Sequence, residues 1–234
     1  MTVVQNLTDS QNIVEKISRK ERERLARREA IIDSAIYIIK QKGFDKTTMD
    51  EIAEDAEIGK GTLYLHFKSK IAIYVAICER GMQQLLAEFE TLFDESRTGL
   101  GIIQKMGDVY LTFVQKHPYY VNAATYYENL ADKEEHASGA LIEQCDRHAH
   151  HVLELMAKAL QTGMDDSTIR STIDPVETAF LIWASSRGVL QLGYMQKHHN
   201  PGRTFVGEQI QLHELTEGFI ELISTGLKNQ KKES

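Results

Sequence analysis

Apolar residues recur along most of the chain at helical spacing. Ile32, Ala35, Ile36 and Ile39 fall at i, i+3, i+4 and i+7 and form one stripe. Upstream, Ser18 and Glu21 have capping-box spacing, so this helix is expected to begin as early as Arg19. Gly43 should end it, because glycine readily takes the left-handed conformation at a helix C-terminus, and Phe44 should fold back on Ile39. Thr48-Met49-Asp50-Glu51 is a second capping box, opening a short helix whose inner side is Ile52, Ala53 and Ala56. After Glu57-Ile58-Gly59 another short helix is expected from about Lys60 to Phe67, with Leu63 and Phe67 facing inward. Two short helices joined by so tight a turn read as a helix-turn-helix. From Ser69 a longer helix leads away through Ile73, Ile77, Leu85, Phe89 and Leu92. Beyond it the pattern predicts helices at 100–116, 118–132, 138–162, 175–197 and 207–228. Asp174-Pro175-Val176-Glu177 supplies an N-cap, a proline at the first helical position and a glutamate at the third. Asn200-Pro201-Gly202 marks the loop before the last helix. The fold expected is all-α: a mobile tail over 1–17, a helix-turn-helix domain over 18–70 and a larger helical domain over 71–234.

Composition agrees with this reading. The 234 residues are 42% hydrophobic with only three prolines, enough to bury a sizeable core of helices. The longest apolar run, Ile71 to Cys78, falls far short of the ~18 residues that span a bilayer. Asp9, Glu15 and Lys16 interrupt the N-terminus where a leader would carry its apolar core, so a cytoplasmic protein without a membrane partner is expected. Cys78 and Cys145 lie far apart in sequence and fit a reducing compartment without a disulfide framework.

The net charge of −7 is unevenly spread. Residues 1–70 carry 13 Lys/Arg against 12 Asp/Glu, and the remainder 14 against 22. Lys16 to Arg28 concentrates seven basic residues, Arg19, Lys20 and Arg22 among them, against Glu21 and Glu23. Such a segment is either a solvated helix face, with Glu23 and Arg27 as an i,i+4 pair, or a contact for a polyanion.

The stretch Gly59-Lys60-Gly61-Thr62 raises the question of phosphate binding. A Walker-type nucleotide loop needs G-x-x-x-x-G-K-[ST] after a buried strand. Here the lysine precedes the second glycine and the preceding segment is helical. The same residues serve better as the start of a DNA-reading helix. Free amides and the helix dipole favour an anion there, Gly61 lets a backbone come close, and Lys60 adds a charge. With Leu63 and Phe67 inward, Lys60, Thr62, Tyr64 and His66 are expected on the outer surface, next to the major groove.

Gly43-Phe44, Thr47-Thr48, Ile52-Ala53 and Lys60-Gly61-Thr62-Leu63-Tyr64, followed by Phe67 and Lys70, resemble the DNA-binding signature of the tetracycline-repressor (TetR) family. The motif covers about Ile31 to Ile77. The resemblance implies a homodimer of all-α subunits that represses by occupying an operator on double-stranded DNA and is released by a small molecule. It implies that Thr47 and Thr48 begin the supporting helix near a phosphate, and that Lys60, Gly61, Thr62, Tyr64 and His66 lie on the recognition helix. It further implies that Lys70 touches the DNA backbone. Thr62, Tyr64 and Lys60 are then the candidates for base contact. Glu57 departs from the family's usual glycine and Gly59 from its frequent serine cap. With DNA as partner, Arg19, Lys20 and Arg22 become candidates for an arm along the phosphates.

In the larger domain, Phe113, Tyr119, Tyr120, Tyr126, Tyr127, Trp183 and Met195 are the candidates for an aromatic-lined effector site; for any one of them ordinary core packing is the alternative. A hydrophobic or aromatic effector follows from that composition. Cys145, His148, His150 and His151 are residue types that bind zinc, but Cys145 and His151 stand about 9 Å apart along a helix, too far for one ion. A solvated or dimer-facing helix is the simpler reading, and no cofactor or metal is expected. The last two helices should form the dimer surface, with small residues at Ala184, Ser185, Ser186 and Gly188 and apolar Leu181, Ile182, Val189, Leu192, Phe219, Leu222 and Ile223. No nucleophile–base spacing, H-E-x-x-H or cofactor fingerprint supports an enzyme, and an architectural DNA binder without effector is the other alternative.

Overall fold

The computed structural model describes residues 18–93, 97–130, 139–198 and 211–229. Within them the chain is all-helical: α1 (Arg19–Lys42), α2 (Met49–Asp55), α3 (Lys60–His66), α4 (Lys70–Glu90), α5 (Gly99–Lys116), α6 (Pro118–Leu130), α7 (Gly139–Asp165), α8 (Pro175–His198) and α9 (Leu212–Leu227). An isolated antiparallel bridge joins Ile169 to Lys228. No helix among the described residues is long and apolar enough to cross a membrane. The expected tail, 1–17, lies outside the described residues.

The chain divides into two compact units, which part between Ile77 and Cys78. That places the division inside α4 rather than at its start. The first turns of α4 belong with the head because Tyr74 stacks on Phe44, ring centroids 4.0 Å apart. Phe44 therefore packs on α4.

The head is built from α1, α2, α3 and the start of α4. Ser18 caps α1, accepting from the Glu21 amide at 3.2 Å. Gly43 ends it with φ +82°. The second capping box is complete: the Glu51 amide donates to the Thr48 hydroxyl, and the Thr48 amide donates to the Glu51 carboxylate at 2.9 Å. Lys42 also pairs with Glu51. Lys42 first, then the Thr48 hydroxyl and amide, hold the Glu51 carboxyl down at about 2. This pKa is depressed in the folded state, so the contribution is present above pH 4.5 and is lost as pH falls toward 2. Ile31, Ile32, Ile52, Leu63 and Phe67 are buried and form the core that α1, α2 and α3 share.

The turn after α2 is a Schellman motif. The Ile58 amide donates to the Ala53 carbonyl at 2.9 Å and the Glu57 amide to the Glu54 carbonyl at 3.0 Å. Glu57 occupies its left-handed position with φ +52°, where the absence of a side chain would remove strain. Glu57 is exposed, so Glu57→Gly is expected to raise stability by about 0.5–1 kcal/mol. Urea denaturation checks this, and an unchanged or lower midpoint would mean that the turn is unstrained.

The body is a bundle in which α7 packs on α5 and α8, and α9 on α8 and α5. Asp166 caps α5 from afar, its carboxylate accepting from the Gly99 amide at 2.7 Å. The Leu100 amide donates to the Thr168 hydroxyl at 3.2 Å. Asp174 caps α8 as its sequence suggests, accepting from the Glu177 amide at 2.8 Å.

Candidate functional site

The head presents one short helix, α3, held from beneath and open above. Leu63 is fully buried and Phe67 nearly so, and these two side chains fasten the helix to the core. The outward face follows the helical period: Lys60 and Gly61, then Tyr64 and Leu65 a turn later. Tyr64 is 44% exposed and Leu65 78%. Thr62 and His66 are half-buried at the flanks, so the expectation that both share the open face with Tyr64 is corrected. Residues two apart in a helix cannot lie on one face. Leu65 was missed for the same reason; counting in steps of three and four from Gly61 would have found it.

Gly61 has an exposed backbone, and a Cβ built there would meet nothing within 4 Å. The head's own packing does not require glycine, which costs a helix about 0.5–1 kcal/mol relative to alanine. Gly59 precedes the helix with no side-chain cap, as its replacement of serine implied.

The charged residues around α3 are largely engaged with the head itself. Lys60 Nζ pairs with Asp50 on α2 at 2.6 Å, a bond that holds its amine above the usual lysine range. Lys70 donates to the carbonyls of Phe44 at 2.9 Å and Asp45 at 3.2 Å, and its amine lies 4.4 Å from the Phe44 ring centroid. It braces the loop after α1. Thr47 is 1% exposed and donates to the Gly43 carbonyl at 2.8 Å, so its side chain does not reach the surface expected of it. The Thr48 hydroxyl is exposed but donates within the capping box, 2.7 Å from a Glu51 oxygen. Both threonines build the loop that positions α2.

Arg19, Lys20 and Arg22 are exposed on the first turns of α1. They belong to a continuous helix rather than to an extended arm, and Arg19 pairs with Glu23 at 2.8 Å. Ile31 is the first buried residue of α1, so the segment before it stands clear of the head's core. Its later arginines lean toward the recognition helix. Arg28 lies over the Phe67 ring, 5.4 Å from the centroid. Burial first, then Arg24, Arg27 and Arg28, push the His66 imidazole below its ordinary pKa.

Two cavities lie among the described residues of the body. The larger, about 70 Å3, lies among α5, α8 and α9 and is lined by Trp183, Phe219 and Ile220 among others. The smaller, about 40 Å3, brings together Phe113, Tyr120 and Trp183. Three of the seven candidate effector residues are thus gathered. Tyr120 is wedged over Gly81, where a Cβ would come within 2.6 Å of its ring. Tyr119 lines neither cavity; its hydroxyl lies 2.9 Å from His117 Nδ1. Tyr126 is half-buried and lines neither. The side chains of Tyr127 and Met195 lie outside those described. Tyr110, Met106 and Phe89, not anticipated, are in the larger lining.

The Cys/His segment of α7 diverges. His148 lies 3.4 Å from Glu79, His150 3.3 Å from Glu154 and His151 3.8 Å from Glu90. Cys145 is buried against Cys78, whose hydrogen bond pushes the Cys145 thiol far up, with burial second. Among the described residues no three His, Cys, Asp or Glu could hold one metal ion. The expected dimer surface also divides. Leu181, Leu192 and Leu222 face out, whereas Ile182, Val189, Phe219 and Ile223 line the larger cavity. Val176 and Phe180, both exposed, extend the outward patch.

Residues 31–77 match the family of bacterial regulatory proteins, tetR family, so the resemblance read from Gly43 to Lys70 is borne out over that segment. An uncharacterized HTH-type transcriptional regulator, YerO of Bacillus subtilis, is 47% identical over 53 residues, 23% of this chain and 18% of its own length. The HTH-type negative transcriptional regulator IcaR of the biofilm operon icaADBC, from Staphylococcus aureus, is 49% identical over 47 residues. That match covers 20% of this chain and 25% of IcaR, so the chain spans a quarter or less of the length of these relatives. The fold is shared much more widely. The regulator FadR of Bacillus subtilis, solved with stearoyl-CoA, superposes with a TM-score of 0.63 over 85% of this chain and 98% of its own, at 18% identity. A TetR/AcrR-family regulator of Thermobifida fusca gives 0.65 over 86% and 98%, at 20% identity.

Proposed function

We propose that this chain, whose residues 31–77 are a TetR-family DNA-binding segment, is a transcriptional repressor. It acts as a homodimer on a pseudo-palindromic operator and is released by a small hydrophobic effector. The observation that carries the reading is α3: pinned by Leu63 and Phe67, it offers Lys60, Gly61, Tyr64 and Leu65 outward on one face. Lys60 exchanges Asp50 for a phosphate, a trade between exposed ion pairs that costs little. Tyr64 and Leu65 are the candidates for base edges and thymine methyl groups. The repressing direction is supported by IcaR, a negative regulator with a closely similar head. Val176, Phe180, Leu181, Leu192 and Leu222 supply the apolar face through which α8 and α9 pair with a second copy.

Selection from random duplex DNA followed by footprinting tests this. The expected result is a discrete palindrome whose half-sites are centred about 34–36 Å apart. Broad coverage without a discrete site would favour an architectural binder, and no protection would end the DNA reading. On the selected site, replacing Arg19, Lys20 and Arg22 together with alanine should weaken all sequences alike. The salt dependence should flatten by up to about one unit per lost phosphate contact. An unchanged salt slope would return the start of α1 to a solvated helix face.

A further inference from the structure

The larger cavity, about 70 Å3, has no charged side chain in its lining among the described residues. Its polar groups are unequally occupied. The Ser186 hydroxyl donates to the Trp183 carbonyl at 2.8 Å and the Thr216 hydroxyl to the Leu212 carbonyl at 2.7 Å, so both protons are spent on the residues' own helices. Ser224 differs. It lines the cavity at 9% exposure, and its hydroxyl makes no hydrogen bond among the described residues. The indole of Trp183, which can donate but not accept, makes none either. A buried hydroxyl without a partner costs stability, and folded proteins seldom keep one. Ile220 and Ile223, its neighbours on α9 in the lining, offer only hydrocarbon, whereas a buried water needs two to four polar partners.

We infer that this cavity takes an uncharged, largely apolar molecule bearing an acceptor oxygen, such as a carbonyl, which receives the Ser224 hydroxyl proton. This deepens the effector release proposed above and rests on it. The capacity left unspent at Ser224 and Trp183 is donor capacity, so an acceptor on the ligand is what the lining lacks. An anion is disfavoured because no cation in this lining offsets its lost hydration. Ser224 lies just over two turns beyond Thr216 on α9, about 12 Å along the helix axis. The acceptor therefore sits at one end of the stripe that Phe219, Ile220 and Ile223 form, with the apolar body along it. The cavity is about half of the ~150 Å3 that holds a benzene, so a larger body enters only if the wall yields. Met106 and Met156, unbranched and with several rotatable bonds, are the wall elements suited to do so.

The full-length protein is titrated by calorimetry with three probes on one ring. They are cyclopentanone, methylidenecyclopentane, in which a methylene of similar size replaces the carbonyl oxygen, and cyclopentanecarboxylate. The wild type should bind the ketone, and the carboxylate at least about tenfold more weakly. Ser224→Ala should weaken the ketone about fivefold and leave the hydrocarbon unchanged or slightly tighter. Comparing the two uncharged rings in both proteins isolates the hydroxyl, because a merely structural effect of the substitution would move both alike. Carboxylate binding as tight as that of the ketone, an equal effect of Ser224→Ala on both uncharged rings, or no binding of the ketone would overturn the inference. If Ser224→Ala fails to fold, as its melting curve would show, Ser224→Cys, whose thiol is a weak donor, takes its place under the same criteria. Operator selection without ligand is scored separately, so failure of the repressor reading is distinguishable from failure of the site at Ser224.

Discussion

Gly99→Ala is expected to lower the stability of the body by about 3 kcal/mol or more, at the upper end of what overpacking costs. Gly99 is buried at the start of α5, where that helix meets α7. A Cβ on it would lie 2.0 Å from the Gly163 nitrogen, 2.3 Å from the Gly163 Cα and 2.5 Å from the Ala159 carbonyl oxygen. All three are backbone atoms, so no side-chain rotation relieves the clash and the helices must separate. Separation would also break the bond from the Gly99 amide to Asp166. Thermal unfolding checks this, with a fall in Tm of about 6–12 °C expected for a chain of this size. The control is Gly139→Ala, at a site with nothing within 4 Å of the new Cβ, which should stay within about 0.5 kcal/mol. Wild-type stability of Gly99→Ala would show that α5 and α7 do not cross at this pair.

Leu63→Ala is expected to remove about 3 kcal/mol from the head and to weaken operator binding at least about tenfold. Leu63 is fully buried and is one of two side chains that fasten the seven-residue α3. Such a short helix has little stability of its own and depends on this packing. Leu63→Met, which conserves volume, should cost under about 1.5 kcal/mol and bind DNA nearly normally. Leu65→Ala makes the opposite case: at 78% exposure its loss should leave stability within about 0.5 kcal/mol while changing operator affinity. Denaturation and DNA titration of the three variants separate holding the helix from reading with it. If Leu63→Ala binds the operator like the wild type, α3 is not the reading helix.

Much of the head was legible because its signals are local. The Ser18 and Thr48 caps and the Gly43 terminus each depend on residues within a few positions of one another. The inward pair Leu63 and Phe67 follows from a spacing of four. The errors on α3 arose where alternate residues were placed on one face of a helix. The resemblance implies DNA contacts for Thr47, Thr48 and Lys70, yet both threonine hydroxyls bond within four residues, to the Gly43 carbonyl and to Glu51, whereas nothing local reveals the partner of an ammonium group. For Lys70 the partners are carbonyls 25 and 26 residues back along the chain.

By itself the sequence determined the helical fold class, most helix boundaries and the family of residues 31–77, since periodicity, capping and turn chemistry act over one or two turns of chain. Only the tertiary structure decided which face of each helix is covered. It set Cys145 against Cys78, brought Gly99 onto Gly163, and turned Phe219 and Ile223 inward while Leu222 faces out. It also brought Tyr110 of α5 and Trp183 of α8 together between two cavities. These adjacencies depend on how helices distant in sequence rotate and cross, which is set by packing many side chains at once.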